Sequence, residues 1–216
     1  MKNRNCIIRL SRYKTALYRL KALGFVKVFS DNLAEAIGVM PSQVRKDFSL
    51  FGISGKKRGG YHIDALIERL NEILGKDKVH TVIIVGCGHI GSALMKYRKF
   101  EDGGIKIAAG FDIDPAKHAQ DADIPVFPID RVKPFIKEHN VELAIIAVPD
   151  IAAQQVADML ISAGIKGILN FAPIRLRCPE GSIAHNINLE LELENLIYFV
   201  NVLKKKRVNP DETENA

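Results

Sequence analysis

The chain has 216 residues, enough for one large or two small domains, and 47% of them are apolar, so we expect folded cores rather than disorder. No apolar run approaches the roughly 20 residues of a membrane helix, and charges interrupt the N-terminus, so neither a membrane span nor a secretory signal is expected. Cys6, Cys87 and Cys178 lack metal-ligand spacing. We therefore expect no metal site and a cytoplasmic protein without disulfides.

The excess of positive charge is confined to the N-terminal third. Residues 1–78 carry 16 Lys and Arg against 7 Asp and Glu, a net charge of +9, whereas the remainder carries 15 against 18, a net charge of −3. This asymmetry is typical of a nucleic-acid-binding domain joined to an acidic domain. The polar segment 75–80 (GKDKVH) marks the boundary. We predict domains over 1–78 and 79–187, a C-terminal helix over 188–205 and a frayed tail over 206–216.

The first 40 residues predict two helices. Apolar residues recur at spacings of three and four in the first of them, at Leu10, Tyr13, Leu17 and Leu20. Ser30 or Asp31 can cap the second helix, and Gly38 ends it. The second of these helices and the helix that follows it indicate a helix-turn-helix arrangement.

A third helix over residues 42–51 is the candidate DNA-recognition helix. It begins at Pro41 or Ser42, and Val44, Phe48 and Phe51 form one buried stripe along it. The candidate DNA contacts lie on its other faces and are Ser42, Gln43, Arg45, Lys46 and Ser49. Glutamine can pair with adenine and arginine with guanine, while lysine and serine suit phosphates.

The glycine-flanked basic segment after this helix is typical of a β-hairpin wing, which can contact a phosphate backbone or enter a minor groove. Its candidate contacts are Lys56, Lys57, Arg58 and Tyr61. An alternative is a three-helix domain with a solvated basic face, which would need no wing and no nucleic acid.

The C-terminal two thirds predict an α/β fold. Short unbroken apolar runs over 81–85, 106–111 and 143–148 are typical of strands buried on both faces. Helical stretches over 131–139 and 151–163 separate them or follow them. Strands that alternate with helices indicate a Rossmann-type, doubly wound parallel sheet.

A glycine-rich loop after the first of these strands predicts a dinucleotide site. The loop is GCGHIG and consists of Gly86, Cys87, Gly88, His89, Ile90 and Gly91. Its three glycines would allow the tight turn, the approach of the pyrophosphate and close packing of helix and strand. Asp112 ends the next strand, where a carboxylate binds the adenosine ribose and favours NAD over NADP; Asp114 is an alternative ribose ligand. A structural glycine turn with an incidental acid would look the same.

Two further strand ends are candidates for the nicotinamide side. Ligands of such sheets lie beyond the carboxyl ends of the strands. The residues concerned are Pro149, Asn170, Phe171, Ala172 and Pro173, although the two prolines can also simply end their strands. No histidine, lysine or tyrosine has a partner at a spacing that would supply a hydride-transfer acid, which indicates that the nucleotide is sensed rather than turned over.

Three segments together resemble the Rex family of redox-sensing repressors: 43–52 (QVRKDFSLFG), 86–91 (GCGHIG) and 164–173 (GIKGILNFAP). The resemblance covers roughly residues 10–202, with the motifs in the same order. It implies a homodimer that binds a palindromic operator in double-stranded DNA and leaves it when NADH binds. It also implies that Arg45, Lys46 and the wing contact DNA, and that the glycine loop and Asp112 hold the dinucleotide.

The chain departs from the family pattern at three positions. Arg58 stands where wings of the family usually have glycine. The family couples its domains through an arginine on the first helix, a tyrosine after the phosphate-loop helix and an aspartate before the last helix. Tyr97 matches the tyrosine, but Thr15 and Asn188 replace the charged pair. We therefore expect the coupling to depend on packing around Tyr97 and the last helix.

That last helix, over 188–205, is apolar on nearly all sides and should dock into a second subunit, although its LELELE stretch could also be a strand. The preferred interpretation is thus a homodimeric, NADH-sensing repressor with NAD(H) as ligand. The alternatives are an NAD-dependent oxidoreductase with a helical N-terminal extension and a CoA- or nucleotide-binding module. The basic N-terminal domain favours the first, and the missing catalytic set weakens the second.

Overall fold

The computed structural model describes residues 4–55 and 59–208, and the chain divides into two compact units, Met1–Val79 and His80–Ala216. Over its described residues, the first unit consists of helices packed around one core, with a two-stranded sheet at one side. Its elements are α1 (Arg4–Ala22), β1 (Lys27–Val28), α2 (Ser30–Ile37), α3 (Pro41–Ser49), β2 (Tyr61–His62) and α4 (Ile63–Ile73). Strands β1 and β2 pair antiparallel.

The core of the N-terminal unit forms from the apolar positions that the sequence predicts. Leu10, Tyr13 and Leu17 of α1 are fully buried, as are Val44 and Phe48 of α3. Helix α3, the predicted recognition helix, ends two residues earlier than predicted. It ends there because Gly52 adopts a left-handed conformation (φ +67°) and the amide of Ile53 turns back to the carbonyl oxygen of Phe48. The predicted stripe residue Phe51 therefore lies beyond the helix, where it is half-buried.

The predicted cap of α2 is wrong. Ser30 is already the first helical residue and is buried, and the capping position belongs to Phe29. Phe29 has no polar side chain, so its backbone amide instead donates to the side-chain oxygen of Asn32 at 3.0 Å. The end of the helix is as predicted, because Gly38 has a φ of +72°.

Three of the four predicted wing contacts, Lys56, Lys57 and Arg58, lie outside the described residues. The fourth, Tyr61, lies in β2 opposite Val28 of β1, and its ring meets the ring of Phe48 edge-on at 5.2 Å between centroids. The described strand of the predicted hairpin is thus β2, which pairs with β1. The Tyr61 ring packs against the buried side of α3.

The second unit is a six-stranded sheet, with helices on both faces, followed by a terminal helix. Its strands are β3 (His80–Val85), β4 (Ile105–Asp112), β5 (Val126–Pro128), β6 (Leu143–Ile146), β7 (Gly167–Asn170) and β8 (Ile183–Asn186). Its helices are α5 (His89–Met95), α6 (Lys99–Asp102), α7 (Val132–Glu138), α8 (Asp150–Ala163) and α9 (Leu189–Val208).

All neighbouring strands of this sheet are parallel, in the order β5-β4-β3-β6-β7-β8. The predicted α/β class and doubly wound parallel sheet are therefore confirmed. From β3 the chain extends the sheet first toward β4 and β5, then on the other side toward β6. This reversal opens a crevice at the carboxyl ends of β3 and β6, which is where ligands bind in such folds.

The sheet is buried on both faces, which explains the unbroken apolar runs of its strands. Along β3, Ile83 and Val85 join the larger core under α7 and α8, whereas Val82 and Ile84 join the smaller core on the opposite face. The second face is covered by α5 and α6, two short helices separated by a break at residues 96–98.

Helix α9 exposes its apolar side chains on every side. Nine of them are at least 40% exposed: Leu189, Leu191, Leu193, Leu196, Ile197, Tyr198, Phe199, Val200 and Leu203. The strand alternative for the LELELE stretch is wrong, since these residues are helical throughout. Among the described residues, no helix is long and apolar enough to cross a membrane.

Candidate functional site

The glycine loop between β3 and α5 is closed by two of its glycines and open over the third. A Cβ on Gly86, whose φ is +92°, would lie 2.5 Å from the carbonyl oxygen of Ala147. A Cβ on Gly91 would lie 1.9 Å from the carbonyl oxygen of Gly86. A Cβ on Gly88 would meet nothing within 4 Å. The loop therefore has room for an external group at Gly88, as the sequence motif requires of a pyrophosphate site.

Asp112 ties the end of β4 to this loop. Its side chain is 5% exposed, and its Oδ2 accepts a hydrogen bond from the backbone amide of Cys87 at 2.7 Å. Oδ1 accepts from the amide of Asp114 at 2.9 Å, and the Lys117 ammonium lies 3.3 Å from Oδ2. Burial raises the pKa of Asp112, but these hydrogen bonds outweigh it and hold the pKa below its ordinary value. Asp112 is thus ionised and holds the loop, a role beyond the predicted one.

Asp114, the alternative ribose ligand, has a local structural role. Its Oδ1 accepts from the amide of Ala116 at 3.0 Å and so caps a short 3-10 helix over Pro115–Lys117. The side chain remains about half exposed and lies 3.9 Å from the Lys117 ammonium.

The loop residues between the glycines differ in exposure. Cys87 is buried, and its sulfur lies so close to β4 that a Cβ on Gly110 would be 2.6 Å from it. Burial and the neighbouring Asp112 carboxylate raise the pKa of the Cys87 thiol to about 11, so it is a neutral packing group. His89 and Ile90 begin α5 with exposed side chains.

The residues predicted to lie on the nicotinamide side fall into two groups, one with exposed or half-buried side chains and one with buried side chains. The Asn170 side chain is fully buried: its amide donates to the carbonyl oxygens of Ala172 and Ile174 and to Asn186 Oδ1. Ala172 is buried as well. These two side chains shape the segment and do not line its surface, contrary to the prediction. Phe171 is half-buried, while Pro173 is exposed and Pro149 caps α8.

Two exposed isoleucines at the same edge were missed by the sequence analysis. Ile113 directly follows β4 and is 81% exposed, and Ile151 in the first turn of α8, after β6, is 92% exposed. Strands β4 and β6 flank β3 in the sheet, so both isoleucines belong to the edge that carries the glycine loop. For Ile113, the available signal in the sequence was an apolar residue directly after Asp112, the acid that ends β4.

A cavity of about 980 Å³ lies next to the loop on the face covered by α5 and α6. Cys87 and Lys117 line it at the loop end, and Tyr97 lines it near the break between α5 and α6. The Tyr97 ring is half exposed and meets the ring of Phe100 edge-on at 5.1 Å. The structure thus places Tyr97 and the glycine loop at one cavity. Thr15 and Asn188 stand at the other two positions through which the family couples its domains, and both make local hydrogen bonds.

Thr15 and Asn188 each satisfy their own helix. The Thr15 hydroxyl donates to the carbonyl oxygen of Ser11 one turn earlier at 3.1 Å. Asn188 caps α9, because its Oδ1 accepts from the amide of Leu191 at 3.1 Å. Neither side chain is charged, so this pair cannot form the ion pair that the family pattern would supply.

The outer face of α3 carries the predicted DNA contacts. Ser42, Arg45, Lys46 and Ser49 are exposed, whereas Gln43 is half-buried. Behind them lies Asp47, a carboxylate that is 1% exposed and that the sequence analysis did not single out. Its position one residue before Phe48 in the buried stripe was the available signal, because an acid within an apolar stripe requires partners.

Asp47 accepts four hydrogen bonds and links α3 to α1. Arg9 donates to it through Nε at 2.6 Å and Nη2 at 2.8 Å, and the Tyr13 hydroxyl donates at 3.0 Å. The fourth donor is the side-chain amide of Gln43 at 2.8 Å. Burial raises the pKa of Asp47, but the hydrogen bonds from Arg9 and its other partners hold it below its ordinary value. A two-pronged, charge-assisted pair of this kind is geometrically specific.

We expect Asp47→Asn to lower the free energy of unfolding of the N-terminal unit by about 3 kcal/mol, since removing one partner of a buried ion pair leaves the other charge uncompensated. Pulsed hydrogen–deuterium labelling of the backbone amides of α1 in increasing urea measures this, because α1 belongs to the N-terminal unit. Glu35→Gln, which neutralises an exposed acid of α2, is the control and should change the labelling midpoint little. Equal midpoints for both variants would contradict a stabilising role of the pair.

Among the described residues, no group of three or more histidine, cysteine, aspartate or glutamate side chains could hold a metal ion. Comparison with known proteins adds two kinds of match. Residues 77–174 match the model of the CoA binding domain family, and residues 4–49 match that of the putative DNA-binding protein N-terminus.

Similarity over nearly the whole chain is found to proteins named as repressors. The redox-sensing transcriptional repressor Rex of Desulforamulus reducens is 42% identical over 93% of this chain and 95% of its own. The crystal structure of RSP, a Rex-family repressor, in complex with beta-NAD+ and operator DNA is 34% identical and superposes with a TM-score of 0.90 over 99% of both chains. The structure of RSP with beta-NADH gives a TM-score of 0.86, with 96% and 98% of the two chains covered.

Proposed function

The chain belongs to the Rex family of redox-sensing transcriptional repressors, and we propose that it binds palindromic operators as a homodimer and leaves them when NADH occupies its glycine loop. The observation that carries the proposal is the loop itself, which is closed at Gly86 and Gly91 and open at Gly88. The supporting observation is the basic outer face of α3. We place the protein in the cytoplasm, where both DNA and NADH are available.

The dinucleotide is proposed to lie along the carboxyl edge of β3, with its pyrophosphate over Gly88. Asp112 would accept hydrogen bonds from the adenosine ribose with its remaining lone pairs, next to the adenine ring between Ile113 and Ile151. Apolar, exposed side chains on either side of a loop suit a flat aromatic base. The nicotinamide would extend toward Phe171, and Pro149 and Pro173 offer further surface there. RSP, the relative solved with both NAD+ and NADH, supports the choice of ligand.

We expect NADH to bind more tightly than NADPH, because the ionised Asp112 would repel a 2′-phosphate. Asp112→Asn retains an oxygen that can accept from the Cys87 amide but removes the negative charge. The variant should therefore reduce the preference for NADH over NADPH by about tenfold, the effect of one lost charge contact. Calorimetry with both nucleotides measures the ratio for the native protein and the variant. Tighter binding of NADPH by the native protein would contradict the assignment.

Arg45 and Lys46 are proposed to supply much of the operator affinity, because both are exposed on the outer face of α3. Arg45→Ala should cost about 1–3 kcal/mol of binding free energy and relax the base preference, as expected for a lost base contact. Fluorescence anisotropy on a palindromic duplex measures this. Arg175→Ala, at an exposed arginine of the other unit, is the control. An Arg45→Ala protein with native operator affinity would show that α3 is not the recognition helix.

The match to the CoA binding domain family describes the fold of residues 77–174, and CoA remains the alternative ligand for that unit. The curated relative is named a repressor rather than an oxidoreductase, which supports sensing over turnover. We therefore expect no hydride transfer to hydroxy acids or alcohols. The homodimer would form through α9, whose exposed apolar side chains need a covering surface.

A further inference from the structure

We propose that Asp47 orients the side-chain amide of Gln43 so that its carbonyl oxygen faces outward, and that Gln43 thereby selects a base with an exocyclic amino group in the major groove. The inference rests on the proposed function, namely operator binding by α3. It assigns a specificity role to Gln43 and a positioning role to Asp47, which is itself too deeply buried to touch DNA.

The chemistry of Asp47 determines which way the amide points. An ionised carboxylate can only accept hydrogen bonds, so the group that faces it at 2.8 Å must be the Gln43 nitrogen. The opposite orientation would set the Gln43 oxygen against a negatively charged oxygen. The two hydrogen bonds from Arg9 of α1, one to each oxygen, suffice to prevent Asp47 from turning away to accommodate a flipped amide. The Tyr13 hydroxyl adds a further bond to one of these oxygens. The orientation of Gln43 is thus set by α1 through Asp47.

The position of Gln43 suits contact with bases. It is the third residue of α3, and the N-terminal residues of a recognition helix are those that meet base edges. Gln43 is half-buried, with the exposed Ser42 before it and Arg45 two residues after it. Its inner nitrogen is bound to Asp47, which leaves the oxygen Oε1 and one N–H for an outside partner.

An acceptor held outward distinguishes the four bases. In the major groove, adenine and cytosine present an amino donor, whereas guanine and thymine present acceptor oxygens. The fixed oxygen of Gln43 therefore attracts the first pair and repels the second. Adenine also offers N7 as an acceptor for the remaining N–H of the amide, so we expect adenine to be preferred over cytosine. A free glutamine could flip and would discriminate less.

The test compares base preferences at every operator position. The native protein first selects a duplex from a random pool, and anisotropy competition then measures each single-base change in that duplex. Gln43→Leu should lose the preference for adenine at one position of each half-site, by about fivefold to tenfold, and keep the other preferences. Gln154→Leu is the matched control, because Gln154 makes the same 2.8 Å contact to an aspartate four residues on, in α8.

Two further variants separate positioning from stability. Tyr13→Phe removes one donor to Asp47 and leaves the Gln43 contact, so it should lower the urea midpoint without changing any base preference. Asn at position 47 no longer determines the orientation of the Gln43 amide. Asp47→Asn should therefore weaken the base preference at the same operator position as Gln43→Leu. Should Asp47→Asn fail to fold, Gln43→Leu and Tyr13→Phe still decide.

Each outcome has a distinct meaning. A Gln43→Leu protein with every preference unchanged, or with affinity lowered equally for all sequences, would overturn this inference. So would a Tyr13→Phe protein that loses the adenine preference. A native protein that selects no sequence from the pool would instead contradict the proposed function.

Discussion

Gly88→Val is expected to weaken NADH binding by about 10- to 100-fold, because its isopropyl group would occupy space that the pyrophosphate needs. The fold should not change, because Gly88 has an extended backbone (φ −68°, ψ −159°) and a Cβ there meets nothing within 4 Å. Calorimetry measures the affinity, and urea unfolding shows whether stability is retained. The variant should therefore need about 10- to 100-fold more NADH than the native protein to leave operator DNA.

Gly91→Ala is the informative comparison for this prediction. Its Cβ would lie 1.9 Å from the carbonyl oxygen of Gly86, so one added methyl group must displace the loop. We expect this smaller change to reduce both stability and NADH binding, whereas the larger change at Gly88 affects binding alone. Native NADH affinity in Gly88→Val would show that the dinucleotide does not cross the loop.

Truncation before Asn188 is expected to give monomers and to weaken operator binding by about 100-fold or more, because each monomer then meets only one half-site. The reason is the exposed apolar surface of α9, which in a dimer would be buried against a second copy. Light scattering measures the mass, which should fall from twice 24.0 kDa to somewhat less than 24.0 kDa.

A point variant keeps the chain complete. Leu196→Asp places a charge in the middle of α9 and should also give monomers, whereas Glu194→Ala, an exposed acid on the same helix, should remain dimeric. A truncated protein that is dimeric and still responds to NADH on DNA would contradict the proposed role of α9.

The sequence predicted the features that depend on short segments. Buried parallel strands need apolar side chains on both faces, so runs such as residues 81–85 indicated the sheet directly. The glycine loop was equally predictable, because Gly91 packs against the backbone of Gly86 within the same six-residue segment. Helix α3 was predicted from Val44 and Phe48, which are both fully buried.

What the sequence did not show depends on contacts between distant segments. Asp47 meets Arg9 across 38 residues, so the local pattern could indicate that the acid needs a partner but not which residue supplies it. Asn170 was predicted to lie on the nicotinamide side at the end of its strand. Its side-chain amide instead donates to Asn186 Oδ1 of β8 and to the carbonyl oxygen of Ile174 in the segment that follows. The cap of α2 was misassigned because the Asn32 side chain caps the helix from inside its first turn.

The replacements at Thr15 and Asn188 bear on the strength of the redox response. NADH can shift the DNA-binding equilibrium only by its difference in affinity for the two arrangements of the dimer. Without a charged pair at these positions, we infer that the difference comes from packing around Tyr97 and α9. The expected response is therefore weaker than that of a family member with the charged pair.

The central claim is that NADH removes this protein from operator DNA. Fluorescence anisotropy on a selected palindromic duplex, titrated in parallel with NADH and NAD+, tests it most directly. We predict that NADH lowers the anisotropy to that of free duplex and that the same concentration of NAD+ does not. Gly88→Val should remain bound at the NADH concentration that just releases the native protein. Unchanged operator occupancy at NADH concentrations that calorimetry shows to be saturating would contradict the account.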